Sequence, residues 1–109
     1  MLEPKPPIRS TQEDEASLAQ DLDRFVIGLA ERIDSIQDAE LAGKSAEVGA
    51  LARGLANEAE RLGYPAMAIS ATGVMTAAEN DHRQDALQET IVELTEIAQR
   101  IRQGHRGAA

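Results

Sequence analysis

Few side chains in this sequence could do chemistry, and the two histidines are the first to consider. His82 follows Glu79 at a spacing of three, which di-iron helical bundles use on two of their helices. The sequence contains no second Glu-x-x-His pair and no cysteine. A histidine beside acidic residues at the start of a helix therefore explains His82 better than a metal ligand does. His105 lies between Arg102 and Arg106, which predicts a solvated end.

Other catalytic patterns are missing from the sequence. It has no glycine-rich phosphate loop, no arrangement typical of a nucleophile triad, and no patch of basic and aromatic residues. The formal charge of −8 disfavours nucleic acids and anionic membranes, because Lys and Arg contacts to phosphate dominate such binding. No run reaches the length of a membrane span, and the first residues lack the apolar core of a signal peptide. The sequence predicts a cytoplasmic protein that is not an enzyme and holds no metal or cofactor.

Apolar residues recur three or four positions apart in four segments, and this period predicts four amphipathic helices. Ser10 with Glu13, and Asp81 with Gln84, match the capping box that opens a helix. The predicted bounds are about 11–38 for helix one, 41–62 for helix two, 65–80 for helix three and 81–103 for helix four. The predicted core residues are Leu18, Leu22, Phe25, Leu29, Ile33 and Ile36 in helix one, Val48, Leu51, Leu55, Ala59 and Leu62 in helix two, Met67, Ala71, Val74 and Ala78 in helix three, and Leu87, Ile91, Leu94, Ala98 and Ile101 in helix four.

Short connections join these helices. Gly43 is a candidate end for the first helix, and Ser45 is a candidate cap for the second. Gly63 suits a left-handed helix end, and Pro65 suits the first position of the next helix. Four amphipathic helices with short connections predict an all-α, antiparallel up-down four-helix bundle. We expect a flexible, proline-rich lead over 1–10, the bundle over 11–104 and a C-terminal tail over 105–109.

Helix two is unusual in the face that it is predicted to turn to the solvent. The outer faces of helices one and four are charged, whereas this face is mostly Ala and Gly, with Arg53 near its middle. Gly49 and Gly54 each cost about 1 kcal/mol relative to Ala inside a helix, so we expect access for a partner at Gly49 and tight packing at Gly54. Drift in an alanine-rich sequence, with a merely solvated arginine, is the alternative. The predicted partner-binding residues are Ala46, Gly49, Ala50, Arg53, Ala56, Asn57 and Glu60.

The stretch from Val48 to Asp81 resembles the histidine-containing phosphotransfer (HPt) domain of bacterial multi-step phosphorelays. That family is a four-helix bundle whose second helix reads roughly A-H-x-L-K-G-S-A-x-x-L-G, and this chain has ARGLANEAERLG over 52–63. The matching positions are Ala52, Leu55, Ala59, Leu62 and Gly63, followed by the Pro65-Ala66 start of the next helix and the Asn80-Asp81 turn.

The resemblance fails at the phosphoacceptor. The family's His falls on Arg53, its Lys falls on Ala56, and its next Gly falls on Asn57. A second alignment that begins at Leu41 places Ala39 at the His position, so neither register supplies a histidine. Arginine stays protonated and is no nucleophile, but its guanidinium donates a planar fork of hydrogen bonds to carboxylates or a phosphoryl group.

The resemblance therefore implies a degenerate, non-catalytic HPt-like module. The family's His-bearing face is where receiver domains of response regulators dock, and their phosphoacceptor pocket is a cluster of Asp residues. This implies that Arg53 enters such an acidic pocket, or that the same face binds a histidine kinase. Two alternatives stay open: a self-associating scaffold in which this face and Ile27 meet a second copy, and a divergent active carrier that uses His82 or His105. We expect a monomer or a weak homodimer.

Overall fold

Four α-helices account for most of the chain. The structure is a computed structural model that describes residues 5–80 and 84–105. Within these residues all regular structure is helical, which confirms the all-α prediction. The elements are a 3-10 turn over Ala16–Leu18, α1 over Ala19–Leu41, α2 over Ser45–Arg61, α3 over Pro65–Asn80 and α4 over Gln84–Gly104.

The helices form one packed bundle. Each helix contacts the next one in the chain, and α1 also contacts α4. The contact between α2 and α3 is the most extensive of these. The radius of gyration is 14.0 Å, close to the value of about 13 Å that is typical of a compact domain of this length.

Glycines in the left-handed conformation end the first two helices, as the sequence predicts. Gly43 has φ of 72° and Gly63 has φ of 82°, a region that side chains disfavour. At the end of α1 the Lys44 amide donates to the Ala39 carbonyl oxygen. At the end of α2 the Tyr64 amide donates in the same way to the Ala59 carbonyl oxygen. Such bonds satisfy carbonyl groups that a helix end leaves open. Pro65 is the first residue of α3, which confirms the predicted position.

The predicted helix starts are wrong where they depend on a serine. Residues 11–14 form a turn, and α1 begins only after the 3-10 turn. The Ser10 hydroxyl accepts from the Gln12 amide and donates to the carbonyl oxygen of Leu62, so it joins distant parts of the chain and caps no helix. Ser45 is the first residue of α2, and the cap position belongs to Lys44, which makes no side-chain cap hydrogen bond. The predicted Asp81 cap lies outside the described residues.

The core contains the predicted apolar stripes with two exceptions. Leu18 and Leu51 are only partly buried, whereas every other predicted core residue is buried. The buried apolar residues that the period did not predict are Val26, Ala39, Ala52, Ala56, Tyr64 and Ile97. On α2 the additions are alanines, so the buried side of this helix is broader than its leucines indicate.

Tyr64 is the largest fully buried side chain. Its ring stacks on Phe25 with 5.6 Å between the ring centroids, and only 1% of the residue is exposed. Burial raises the pKa of the Tyr64 hydroxyl, and the negative charge of Glu13 raises it further. Both effects disfavour the tyrosinate form.

Alkaline pH is therefore expected to destabilise the fold through Tyr64. Below pH 10.0, the ordinary pKa of the phenol, folded and unfolded chains both hold the proton, so stability does not depend on this group. As the pH rises from there through the folded pKa, the unfolded state ionises first and the free energy of unfolding falls. Tyr64 is the only tyrosine and there is no tryptophan, so tyrosinate absorbance measures this group alone. Equal midpoints in the native and the denatured protein would contradict the burial of its hydroxyl.

The described part of the predicted lead, residues 5–10, lies against the bundle. The Ile8 amide donates to the Arg100 carbonyl oxygen at 2.9 Å, and the Arg100 Nε donates to the Pro6 carbonyl oxygen at 2.9 Å. The Thr11 amide then donates to the Gly63 carbonyl oxygen at 2.9 Å. Ile8 also packs against the core. These contacts attach the segment to α4 and to the α2–α3 turn, and its composition gives no sign of them.

Candidate functional site

The predicted partner-binding residues of α2 fall into two groups. Ala46, Ala50, Arg53, Asn57 and Glu60 are exposed, as predicted. The expectation of exposure is wrong for Gly49 and Ala56, which are buried. The surface is therefore narrower than the sequence indicates.

The orientation of α2 explains this correction. One flank of the helix faces α1, because Glu58 pairs with Arg32 and Arg61 pairs with Asp21. The opposite flank carries residues 49, 53 and 56 and faces α3, to which Arg53 is joined by an ion pair. Small side chains on this flank let α3 approach closely, which accounts for the burial of Ala56.

An open groove lies along this flank between the start of α2 and the end of α3. Its volume is about 510 Å³. Gly49 is buried within the groove, and a Cβ built there would meet no atom within 4 Å, so the space beside it is empty. The groove, which we call the α2–α3 groove, is lined by Ser45, Ala46, Gly49, Ala50, Arg53, Ala78 and Glu79.

Arg53 lines this groove, and its guanidinium makes only a long, exposed ion pair with Glu79. Its side chain is 66% exposed, and its Nη2 lies 3.8 Å from the Oε1 of Glu79, which is itself 56% exposed. Both arginine–carboxylate pairs at the α1–α2 contact are shorter, with 2.8 Å between Arg32 and Glu58 and 3.1 Å between Arg61 and Asp21. An exposed pair is worth about 0–1 kcal/mol, so turning Arg53 toward a partner costs little.

Gly54 does not mark the tight packing that we predicted. The nearest atom to a Cβ built at Gly54 is the Arg32 Nη2 at 3.6 Å, which is an ordinary van der Waals distance. Arg32 also lies 5.9 Å from the centre of the Phe25 ring and pairs with Glu58 of α2. Gly54 belongs to the contact with α1 and lies outside the α2–α3 groove.

The histidines lie apart from this groove. His82 of the predicted Glu79-x-x-His82 pair is outside the described residues. The prediction that His105 is a solvated end is wrong: its Nε2 lies 2.6 Å from the Oδ1 of Asp23, and its side chain is 19% exposed. This contact joins the end of α4 to the start of α1. Over residues 5–80 and 84–105, no three His, Asp or Glu side chains are arranged to hold a metal ion.

Among the described residues four large apolar side chains are exposed, and one of them was predicted there. Ile27 on α1 is 81% exposed, and it does not line the α2–α3 groove. Scattered apolar residues of this kind are normal on soluble proteins. The others are Leu41, Ile69 and Val92. In the described part of the chain, no helix combines the length and the apolar character that crossing a membrane requires.

Comparison with known proteins gives no match, since no protein-family model, no curated protein and no solved structure is significantly similar to this chain. The resemblance to HPt domains consequently rests on the residues of 48–81 alone.

Proposed function

We propose that this protein is a cytoplasmic, non-catalytic HPt-like module that binds a partner through the α2–α3 groove, in or beside a phosphorelay. The partner is the receiver domain of a response regulator or a histidine kinase. The observation that carries this proposal is the exposed Arg53 guanidinium, which stands beside an open groove of small residues.

The chemistry of Arg53 favours binding over phosphotransfer. A phosphocarrier needs a neutral imidazole nitrogen that attacks an aspartyl phosphate, and a protonated guanidinium cannot do this. A guanidinium can instead form two parallel hydrogen bonds to a carboxylate, which is the group that an acidic receiver pocket offers. On binding, Arg53 would exchange its long contact with Glu79 for such a pair.

The small residues favour a close approach of the partner. Ala46 and Ala50 are exposed, and a Cβ at Gly49 would meet no atom within 4 Å, so no large side chain holds a helix or loop of the partner away from this part of α2. Contact of each helix with its successor, and of α1 with α4, also supports the antiparallel up-down topology that the proposal includes.

The test is binding of receiver domains and kinases encoded in the same genome to the wild type and to Arg53→Glu. We expect the wild type to bind with a micromolar dissociation constant. For the variant this constant should be at least about 30-fold higher, because loss of a central charge contact costs about 2 kcal/mol or more. Arg24→Glu is the matched control, since Arg24 is an exposed arginine on α1 and the change in charge is the same. It should leave the affinity within about twofold.

Three outcomes would contradict the proposal. Equal binding by the wild type and Arg53→Glu excludes insertion of the arginine, and equal weakening by both variants indicates a general charge effect. A stable dimer in light scattering that Arg53→Glu dissociates would favour the self-associating scaffold. Transfer of acid-labile phosphate from a phosphorylated receiver domain to this protein would favour an active carrier using His82 or His105.

A further inference from the structure

A second pocket lies at one end of the bundle and shares no lining residue with the α2–α3 groove. The N-terminal segment, the start of α1, the α2–α3 turn and the end of α4 meet there and enclose a volume of about 230 Å³. Its polar side chains come from four separate parts of the sequence. No local sequence motif predicts this site, because the fold brings its residues together. We call it the end pocket.

The end pocket carries more negative than positive charge. Arg9 Nε lies 2.8 Å from the Glu13 Oε2, and His105 is paired with Asp23. Asp14 also lines the pocket, and it has no ion pair with any described residue. The arginine and the histidine are thus each engaged with one carboxylate, while the charge of Asp14 is not balanced within the pocket. This arrangement attracts cations and repels anions.

Tyr64 contributes a polar atom without a hydrogen-bond partner. Only 1% of the residue is exposed, it lines the end pocket, and its hydroxyl bonds to no described residue. Among the described residues Ser70 Oγ is the only fully enclosed side-chain polar atom without a partner, so the Tyr64 hydroxyl meets the open space of the pocket and is accessible to a ligand. Glu13 lines the same pocket, and its negative charge adds to the effect of burial in raising the pKa of the Tyr64 hydroxyl. At neutral pH the hydroxyl stays protonated and can accept a hydrogen bond through its oxygen.

We propose that the end pocket binds a small organic cation through a primary ammonium or guanidinium group, with Asp14 and the Tyr64 hydroxyl as its hydrogen-bond acceptors. Both acceptors line the same small pocket, and a ligand with several N–H donors satisfies the two together. The ligand lies in a site built by this chain alone, so the inference is independent of the proposed phosphorelay partner.

The first experiment titrates the full-length protein with propylammonium chloride and with methylguanidinium chloride. Amide chemical shifts at Ser10, Gly104 and His105, which line the pocket, report binding. We expect saturable shifts with a dissociation constant of about 1 mM, because so small a ligand gains only a few kcal/mol. Sodium chloride and neutral 1-propanol are the controls, and they should cause no saturable shift at these amides.

Two variants assign the binding to the proposed acceptors. Asp14→Asn removes the unbalanced charge, and Tyr64→Phe removes the hydroxyl while keeping the ring that stacks on Phe25. Each should weaken the binding at least about fivefold. Asp38→Asn makes the same change in charge at an exposed position on α1 and should alter the affinity by less than about twofold.

The proposal is overturned if none of the cations gives saturable shifts at the pocket amides, or if 1-propanol gives the same shifts. It is equally overturned if Asp38→Asn weakens binding as much as Asp14→Asn does, since the total charge would then be responsible. Asp14 is exposed, so its variant is expected to fold and keeps the test decisive even if Tyr64→Phe does not fold.

Discussion

Leu55→Ala is expected to lower the free energy of unfolding by about 3–5 kcal/mol, whereas Leu51→Ala should lower it by about 1 kcal/mol. Leu55 has no exposed surface, while Leu51 is only partly buried at the edge of the core. Both changes delete the same atoms from the same helix, so helix propensity and unfolded-state effects largely cancel in the comparison. Chemical denaturation of the two variants and the wild type measures the difference.

This pair of variants tests the orientation of α2. Equal losses would mean that the core stripe runs through both leucines, as the apolar period of the sequence predicts. In that case residues 49 and 56 would turn away from α3, and the α2–α3 groove would not exist as described. A large difference supports the rotation of α2 toward α3 that places Arg53 beside the groove.

The apolar period correctly predicts the buried face of α1, α3 and α4. On α2 it fails at one flank, where Gly49 and Ala56 were predicted to be exposed and are buried. In α1, α3 and α4 most large aliphatic residues lie on the buried side, with Ile27, Ile69 and Val92 among the exposed exceptions, so the pattern still identifies the core face. In α2, alanines and glycines border the leucines on the α3 side, and their small hydrophobic surface does not distinguish a buried flank from an exposed one. The ion pairs of Glu58 and Arg61 with α1 contribute to this orientation, and no periodicity reveals them.

Contacts between the two ends of the chain were also beyond prediction from the sequence. Ile8 bonds to Arg100, and Asp23 bonds to His105, at separations of more than eighty residues. A proline-rich segment predicts an extended chain, and here the extended backbone supplies hydrogen bonds to α4. Local propensity describes the conformation of such a segment but does not say what it lies against.

Only the α2 side of the candidate site could be predicted from the sequence. Arg53 stands out as a lone cation among small residues, and the structure confirms that it is exposed. The contribution of Ala78 and Glu79 to the groove depends on how α3 crosses α2, which single-helix patterns do not contain. The end pocket was missed entirely, because Tyr64 stands between the two residues that signal a helix end and a helix start.

Gly63→Ala is expected to lower the free energy of unfolding by about 3 kcal/mol, and Gly43→Ala by about 1 kcal/mol. Both glycines have left-handed φ values, 82° and 72°, so both variants strain the backbone to a similar degree. A Cβ at Gly43 meets nothing within 4 Å, whereas at Gly63 it would lie 2.5 Å from the Thr11 Oγ1 and 2.8 Å from the Ser10 Oγ. The larger loss therefore measures the close approach of the N-terminal segment to the α2–α3 turn, and thermal or chemical unfolding compares the two variants.

Removal of residues 1–12 separates the backbone strain from this contact. In the shortened chain Gly63→Ala should cost no more than Gly43→Ala, because the atoms that a new Cβ would meet are gone and only the left-handed φ remains. If the two losses still differ there, the extra cost arises within the turn, and the docking of the segment over Gly63 is wrong. If they become equal, the segment is energetically coupled to the turn that positions Tyr64, and the end pocket depends on both.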